Sequence, residues 1–166
     1  ASSNKTYVFA DGYEPPLHVN EPDSVKALEL MFDGIAEVAA SILTVLLKEN
    51  VESVLLINDR RRTEAHGRQY KHLGIFMDQL TAFLPDSPIT FSEFLSRESR
   101  RFQEGAELIV VCGPLDQELT ETLRSLVKRR FRVICYSLDP YWDSAAPEQT
   151  GLTESARPFV KNLQIF

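Results

Sequence analysis

Two short polar stretches hold the residue types from which chemistry could be built, Asp11-Gly12-Tyr13 and Gly113-Pro114-Leu115-Asp116. Each follows an apolar, β-prone run. In an open α/β sheet, ligands bind beyond the carboxyl ends of the strands, where the strand order reverses. One carboxylate from each loop is the minimum from which a hard-cation site is assembled, because Mg2+ and Ca2+ take several oxygen ligands. An Asp11-bound Mg2+ there would suit a small hydrolase or phosphotransferase, the enzymatic alternative for this chain. The same residues have plain structural uses: Asp116 is a good helix N-cap, and Asp11-Gly12 is an ordinary turn pair.

Other chemistries find less support. His18, His66 and His72 lack the i, i+4 pairing and the Cys neighbours of a zinc site, and read as solvated or capping side chains. Cys112 and Cys135 lie inside apolar runs, where a free thiol packs as a small hydrophobe, and a reducing compartment fits. No Gly-x-x-x-x-Gly-Lys or Gly-x-Gly-x-x-Gly loop cradles a phosphate, and no Gly-x-Ser-x-Gly elbow presents a nucleophile. Arg60-Arg61-Arg62 with Arg68, Lys71 and His72 form one basic cluster, and Arg97, Arg100 and Arg101 a second. Tyr70 is the single aromatic residue interleaved with either, and a net charge of -6, from 24 acidic and 18 basic residues, disfavours a nucleic-acid partner held through its phosphates.

The elements that must position these loops are clearer. Glu107 to Cys112 is a continuous apolar run ended by Gly113-Pro114, the pattern of a strand buried on both faces of a parallel sheet. From Asp116 to Arg130, Leu119, Leu123, Leu126 and Val127 share one helical face, and Arg132 to Leu138 is again apolar. Strand, helix and strand in this order make one right-handed crossover. Earlier in the chain, Thr6 to Ala10 predicts the first strand, and Pro15, Pro16 and Pro22 predict an irregular loop without regular helix. A long helix capped by Asp23 or Ser24 follows, with Leu28, Met31, Phe32, Ile35, Val38, Ala39, Ile42, Val45 and Leu46 as its inner stripe.

Val54 to Ile57 predicts a strand, with Tyr70 to Phe76 as its hairpin partner at the sheet edge and a short helix over Met77 to Leu84. Thr90-Phe91-Ser92-Glu93 has capping-box spacing and opens a helix expected to reach Gln103, where Gly105 ends it. Ser144 to Ser155 reads as a loop, and Phe159 to Phe166 as a last strand. The best membrane candidate, Ile35 to Leu47, is about 13 residues against the ~20 that a span needs. With 166 residues, 43% of them hydrophobic, the chain has the size and composition of a single soluble domain over residues 1–166. It begins at Ala1 without a Met, which we read as the mark of a portion of a longer protein.

Placed in order, these elements resemble the von Willebrand factor A-type domain at the carboxyl-terminal end of the bacterial "domain of unknown function 58" family. The resemblance spans nearly the whole chain. It rests on Glu37-Val38-Ala39-Ala40-Ser41, similar to the family's acidic-x-Ala-Ala-Ser stretch, on the phenylalanine-rich helix before Gly105 to Val111, and on the strand-helix-strand ending in Val133-Ile134-Cys135. It implies a Rossmann-like, mostly parallel sheet ordered 3-2-1-4-5-6 with one antiparallel edge strand and helices on both faces. It also implies that this chain is the cytoplasmic portion of a bacterial membrane protein, in contact with the membrane only through segments outside the chain.

A-type domains hold a divalent metal through Asp-x-Ser-x-Ser, a Thr and a further Asp. Here Asp11 keeps the first position, Tyr13 and Pro15 stand at the two Ser positions, Cys112-Gly113 replace the last Asp, and Asp116 is displaced into the helix start. The resemblance therefore implies a degenerate metal-ion-dependent adhesion site with no metal or other cofactor. Were Mg2+ or Ca2+ to bind, Asp11 and Asp116 would be its ligands. It further implies a non-enzymatic role in binding a protein partner, with Tyr13, Leu115, Tyr141 and Trp142 as the contact candidates, because aromatic and apolar residues on loops over a rigid sheet suit interface anchors.

Overall fold

The computed structural model describes residues 5–15, 22–138 and 162–165. The strands are β1 (Thr6–Asp11), β2 (Ser53–Asn58), β3 (Glu64–Gly67), β4 (Glu107–Cys112), β5 (Arg132–Ser137) and β6 (Asn162–Ile165). The helices are α1 (Pro22–Lys48), α2 (Leu73–Thr81), α3 (Phe91–Glu98) and α4 (Gln117–Lys128). All six strands form one sheet in the order β3-β2-β1-β4-β5-β6. β1, β2, β4 and β5 are parallel, whereas β3 runs antiparallel to β2 and β6 antiparallel to β5. The fold is thus α/β and Rossmann-like. Both edges carry an antiparallel strand, where the sequence led us to expect one.

Side-chain alternation divides the core. Phe9 lies between Leu56 and Val110 in the sheet, and these residues with Leu108 and Cys112 face α3 and α4. Val8, Ala10, Leu55, Ile57, Ile109 and Val111 point to the other side, under α1 and α2. With helices on both faces the inner strands have no solvent side, which is why β2 and β4 are apolar without alternation. Phe9 meets Phe94 edge-on at a centroid distance of 6.1 Å and Phe102 at 5.9 Å, while Tyr7 stacks on Phe102 at 3.8 Å.

α1 begins at Pro22, so this proline opens the helix instead of excluding it. Its fixed φ suits the first turn, where its missing N–H removes no intrahelical bond. Leu43 and Leu47 lie on the inner stripe and Val45 faces solvent, a shift from the expected Val45 and Leu46. Val25–Lys48 is long and apolar enough to cross a membrane by length and composition, longer than the stretch from Ile35 to Leu47 alone. Ile35, Val38, Ala39, Leu43 and Leu47 are instead wholly buried against the sheet and α2. The helix ends with Asn50 at φ 57° and Val51 donating to the Leu46 carbonyl at 3.0 Å, a left-handed termination that Asn tolerates well.

The hairpin after β2 differs from expectation. Its second strand is the four-residue Glu64–Gly67, and residues 70–76 form a 3-10 turn leading into α2. Tyr70 is exposed on that 3-10 turn, whereas Phe76 and Leu80 form the buried face of α2, and Phe76 lies against Gly67, where an added Cβ would stand 2.7 Å from its ring. α3 is capped by Thr90, whose Oγ1 accepts the Glu93 N–H at 3.3 Å. α3 ends at Glu98 and gives way to a 3-10 turn at Ser99–Arg101, short of the expected Gln103. Glu98 is buried and receives Arg62 at 2.7 Å and Arg101 at 3.0 Å, tying the β2–β3 turn to α3. Arg101 also pairs with Glu64, so two cations and two carboxylates clamp the β3 edge.

Candidate functional site

Parallel β1, β2 and β4 deliver the residues that follow them to one end of the sheet, and the order reverses between β1 and β4. Asp11 closes β1, Asn58 closes β2, and Gly113 to Asp116 follow β4. The loop between α2 and α3 completes the site through Ser87 and Ile89. Asp11 Oδ1 accepts the Tyr13 backbone N–H at 2.9 Å and the Asn58 side-chain N–H at 3.4 Å. Asn58 donates its other side-chain hydrogen to the Ile89 carbonyl at 3.1 Å, and its Oδ1 accepts the Ser87 hydroxyl at 2.6 Å. Ser87 N–H in turn donates to the Gly12 carbonyl at 3.1 Å.

A single buried amide, Asn58 at 1% exposure, therefore joins three loops. Gly12 is required beside it, because an added Cβ would lie 2.2 Å from the Asn58 carbonyl oxygen. Enclosure raises the Asp11 carboxyl from 3.8 to about 7. Desolvation disfavours the charged form, the Tyr13 and Asn58 hydrogen bonds oppose the shift, and the negative charge of Asp116 adds to it.

Asp116 is exposed and caps α4: its Oδ1 accepts the Leu119 N–H at 2.7 Å. Replacing it with Ala should cost about 1 kcal/mol in a urea unfolding titration, the usual value of an N-cap. Leu115 is half-buried against the α3/α4 core, and Tyr13 is held by its backbone to Asp11. Tyr141 and Trp142 lie outside the described residues, as do His18 and the 144–155 stretch.

These residues do not fit a divalent cation. Tyr13 presents its backbone N–H, a donor, to Asp11, and Asn58 also donates to that carboxylate. Asp116 is engaged with its own helix. Among the described residues no group of three or more His, Cys, Asp or Glu is placed to hold a metal ion. Nor is Ser87 set up as a nucleophile, since its hydroxyl faces an amide oxygen and has no base.

The remaining reactive side chains are dispersed. The sulfurs of Cys112 and Cys135 are 3.7 Å apart on adjacent strands and fully enclosed as free thiols. The hydrogen bond with Cys135 and burial push the Cys112 thiol well above its ordinary value. His66 contacts Glu64 at 2.7 Å, and His72 Nδ1 accepts the Arg68 and Gln69 backbone N–H groups at 3.1 Å.

The basic cluster read along the hairpin divides in space, because β3 carries the chain back down the sheet. Arg60–Arg62 stand beside the switch point, and Arg68 lies at the opposite end. There it lines a cleft of about 1150 Å³ with Lys5, Glu52, Glu107 and Arg132. Lys5 pairs with Glu52 and Arg132 with Glu107, and the basic residues of the lining are matched in number by acidic ones, so the cleft presents no field of one sign.

Sequence reasoning named Asp11 and Asp116 but missed Asn58 and Ser87. Their signals were a polar residue closing an otherwise apolar strand and a serine between two prolines, Pro85-Asp86-Ser87-Pro88. No protein-family model matches the chain, and comparison with curated proteins finds no match.

Proposed function

We propose that this domain is a non-enzymatic protein-interaction module of von Willebrand factor A type, with a degenerate metal-ion-dependent adhesion site, serving as the cytoplasmic part of a bacterial membrane-associated protein. The observation that carries the reading is the internal satisfaction of Asp11. Its carboxylate is tied to Tyr13 and Asn58, and the loops that would supply a cation's oxygens are joined by the Asn58 amide. The sheet order, with β3 antiparallel beside β2, accords with an A-type topology. Partner binding would fall on the loops at the switch-point end, a rigid platform of the kind on which recognition residues concentrate.

The test is thermal unfolding with and without millimolar Mg2+, Mn2+ or Ca2+, on the wild type and on Asp11→Ala. We expect no shift with any ion. A cation at a hundred times its Kd would add about 2.7 kcal/mol, a displacement of several degrees. Such a shift, lost in Asp11→Ala, would overturn the reading and favour the Mg2+-dependent hydrolase or phosphotransferase, or a working adhesion site.

A further inference from the structure

The β2–β3 turn is built more firmly than a solvated surface turn requires. Asp59 is 3% exposed, and its carboxylate accepts both the Thr63 N–H at 3.0 Å and the Thr63 hydroxyl at 2.8 Å. Arg62 N–H donates to the Asp59 carbonyl at 3.1 Å, with Arg62 at φ 52°, a left-handed conformation that a residue with a Cβ adopts at a cost. Three consecutive arginines are held within this closed loop. Arg62 is accounted for by buried Glu98. Arg60 and Arg61 are exposed, and among the described residues their guanidinium groups have neither a hydrogen bond nor an ion pair.

A loop that carries an exposed apolar residue is hydrogen-bonded to this turn. The Arg60 backbone N–H donates to Asp86 Oδ1 at 2.9 Å, and the Asp86 N–H donates to the Leu84 carbonyl at 2.9 Å. Leu84 is 61% exposed, above every other exposed large apolar residue described. Two unpaired guanidinium groups and one solvent-facing Leu are thus presented on loops that hydrogen-bond to one another. The planar guanidinium fork of Arg binds carboxylates bidentately, and Arg is enriched among interface hot spots.

We propose that Arg60, Arg61 and Leu84 form a docking surface for a short acidic segment of a protein partner, one that carries a large apolar residue among its carboxylates. This rests on the interaction-module reading and names the chemistry of its partner. The small number of free cations favours a short segment over a polyanion. A nucleic acid or an anionic membrane would also bring many phosphates against a chain of net charge -6, whereas a short segment sets only a few carboxylates against it.

The test is fluorescence anisotropy with a labelled peptide of alternating Glu and Leu, at low salt, on the wild type and on Arg60→Glu/Arg61→Glu. We expect binding that falls about tenfold or more in the charge-reversal variant and falls as salt is raised. Leu84→Ser should weaken it separately, and a peptide with Lys in place of Glu should not bind. Equal affinity of the wild type and the double variant would overturn the proposal, as would an absence of binding. So would tighter, Arg60- and Arg61-dependent binding of single-stranded DNA or of phosphatidylserine vesicles, which would reassign the surface to a polyanion. Because the metal titration does not involve these arginines, a cation-induced shift alongside intact peptide binding would remove the degenerate-site reading and leave the docking surface standing.

Discussion

Asp11→Asn is expected to raise the unfolding midpoint above pH 7 and to have little effect near pH 4. In the unfolded chain this carboxyl ionises at its ordinary 3.8, whereas in the folded protein it does so at about 7. Between these values the unfolded state is ionised while the folded state retains the proton. Raising the pH therefore favours unfolding by about 1.4 kcal/mol per unit, and the loss levels off above the folded value. The stability attached to the protonated group is full below the unfolded pKa and is withdrawn as pH rises through the window.

The whole span would amount to about 4 kcal/mol, but Asp11 keeps some contact with solvent, so about 2 kcal/mol, or roughly 4–8 °C, is the expected gain at pH 8. Asparagine retains the oxygen that accepts from Tyr13 and Asn58, so the substitution removes the charge without removing the acceptor. Thermal melts of both proteins from about pH 4 to pH 8 decide the matter. Curves that run parallel across the range would show that Asp11 is ionised throughout in the folded protein.

Asn58→Ala should be the most damaging single change at the switch-point end. It deletes two donors and one acceptor at a position with 1% exposure, so that the Ser87 hydroxyl and the Ile89 carbonyl keep only each other, at 3.0 Å, and Asp11 keeps only the Tyr13 N–H. Three buried hydrogen bonds at about 1 kcal/mol each put the expected loss at about 3 kcal/mol. Urea titration should show a lower midpoint with an unchanged slope. Ser87→Ala, which removes one hydroxyl and leaves the amide in place, should cost about 1 kcal/mol. A loss below about 1 kcal/mol for Asn58→Ala would mean that solvent substitutes fully for the amide and that the three loops are held by other contacts.

The parts of this fold that could be read from the chain are those in which local pattern and tertiary environment agree. β4, α4 and β5 were legible because Leu108 to Cys112 are apolar without interruption and Leu119, Leu123 and Leu126 recur on one face. Asp116 and Thr90 were legible as caps because that role depends on residues within one helical turn. β3 was misplaced because its register comes from β2. Glu64–Gly67 has little strand propensity of its own and pairs with Ser53–Leu56, whereas Tyr70 to Phe76, richer in aromatic residues, forms a 3-10 turn and the first turn of α2. Asn58 and Ser87 were invisible as a pair because 29 residues separate them and neither belongs to a local motif. The proximity of Cys112 and Cys135 was hidden in the same way, since it follows from the parallel register of β4 and β5.

The second antiparallel edge has a mechanical consequence. β1 starts at the end of the sheet away from the switch point, and β6 runs back toward that same end, with Ile165 opposite Ile134. A pull applied through the start of β1 and the end of β6 would therefore load one pole of the sheet, while the platform of Asn58, Gly12 and the β2–β3 turn lies at the other.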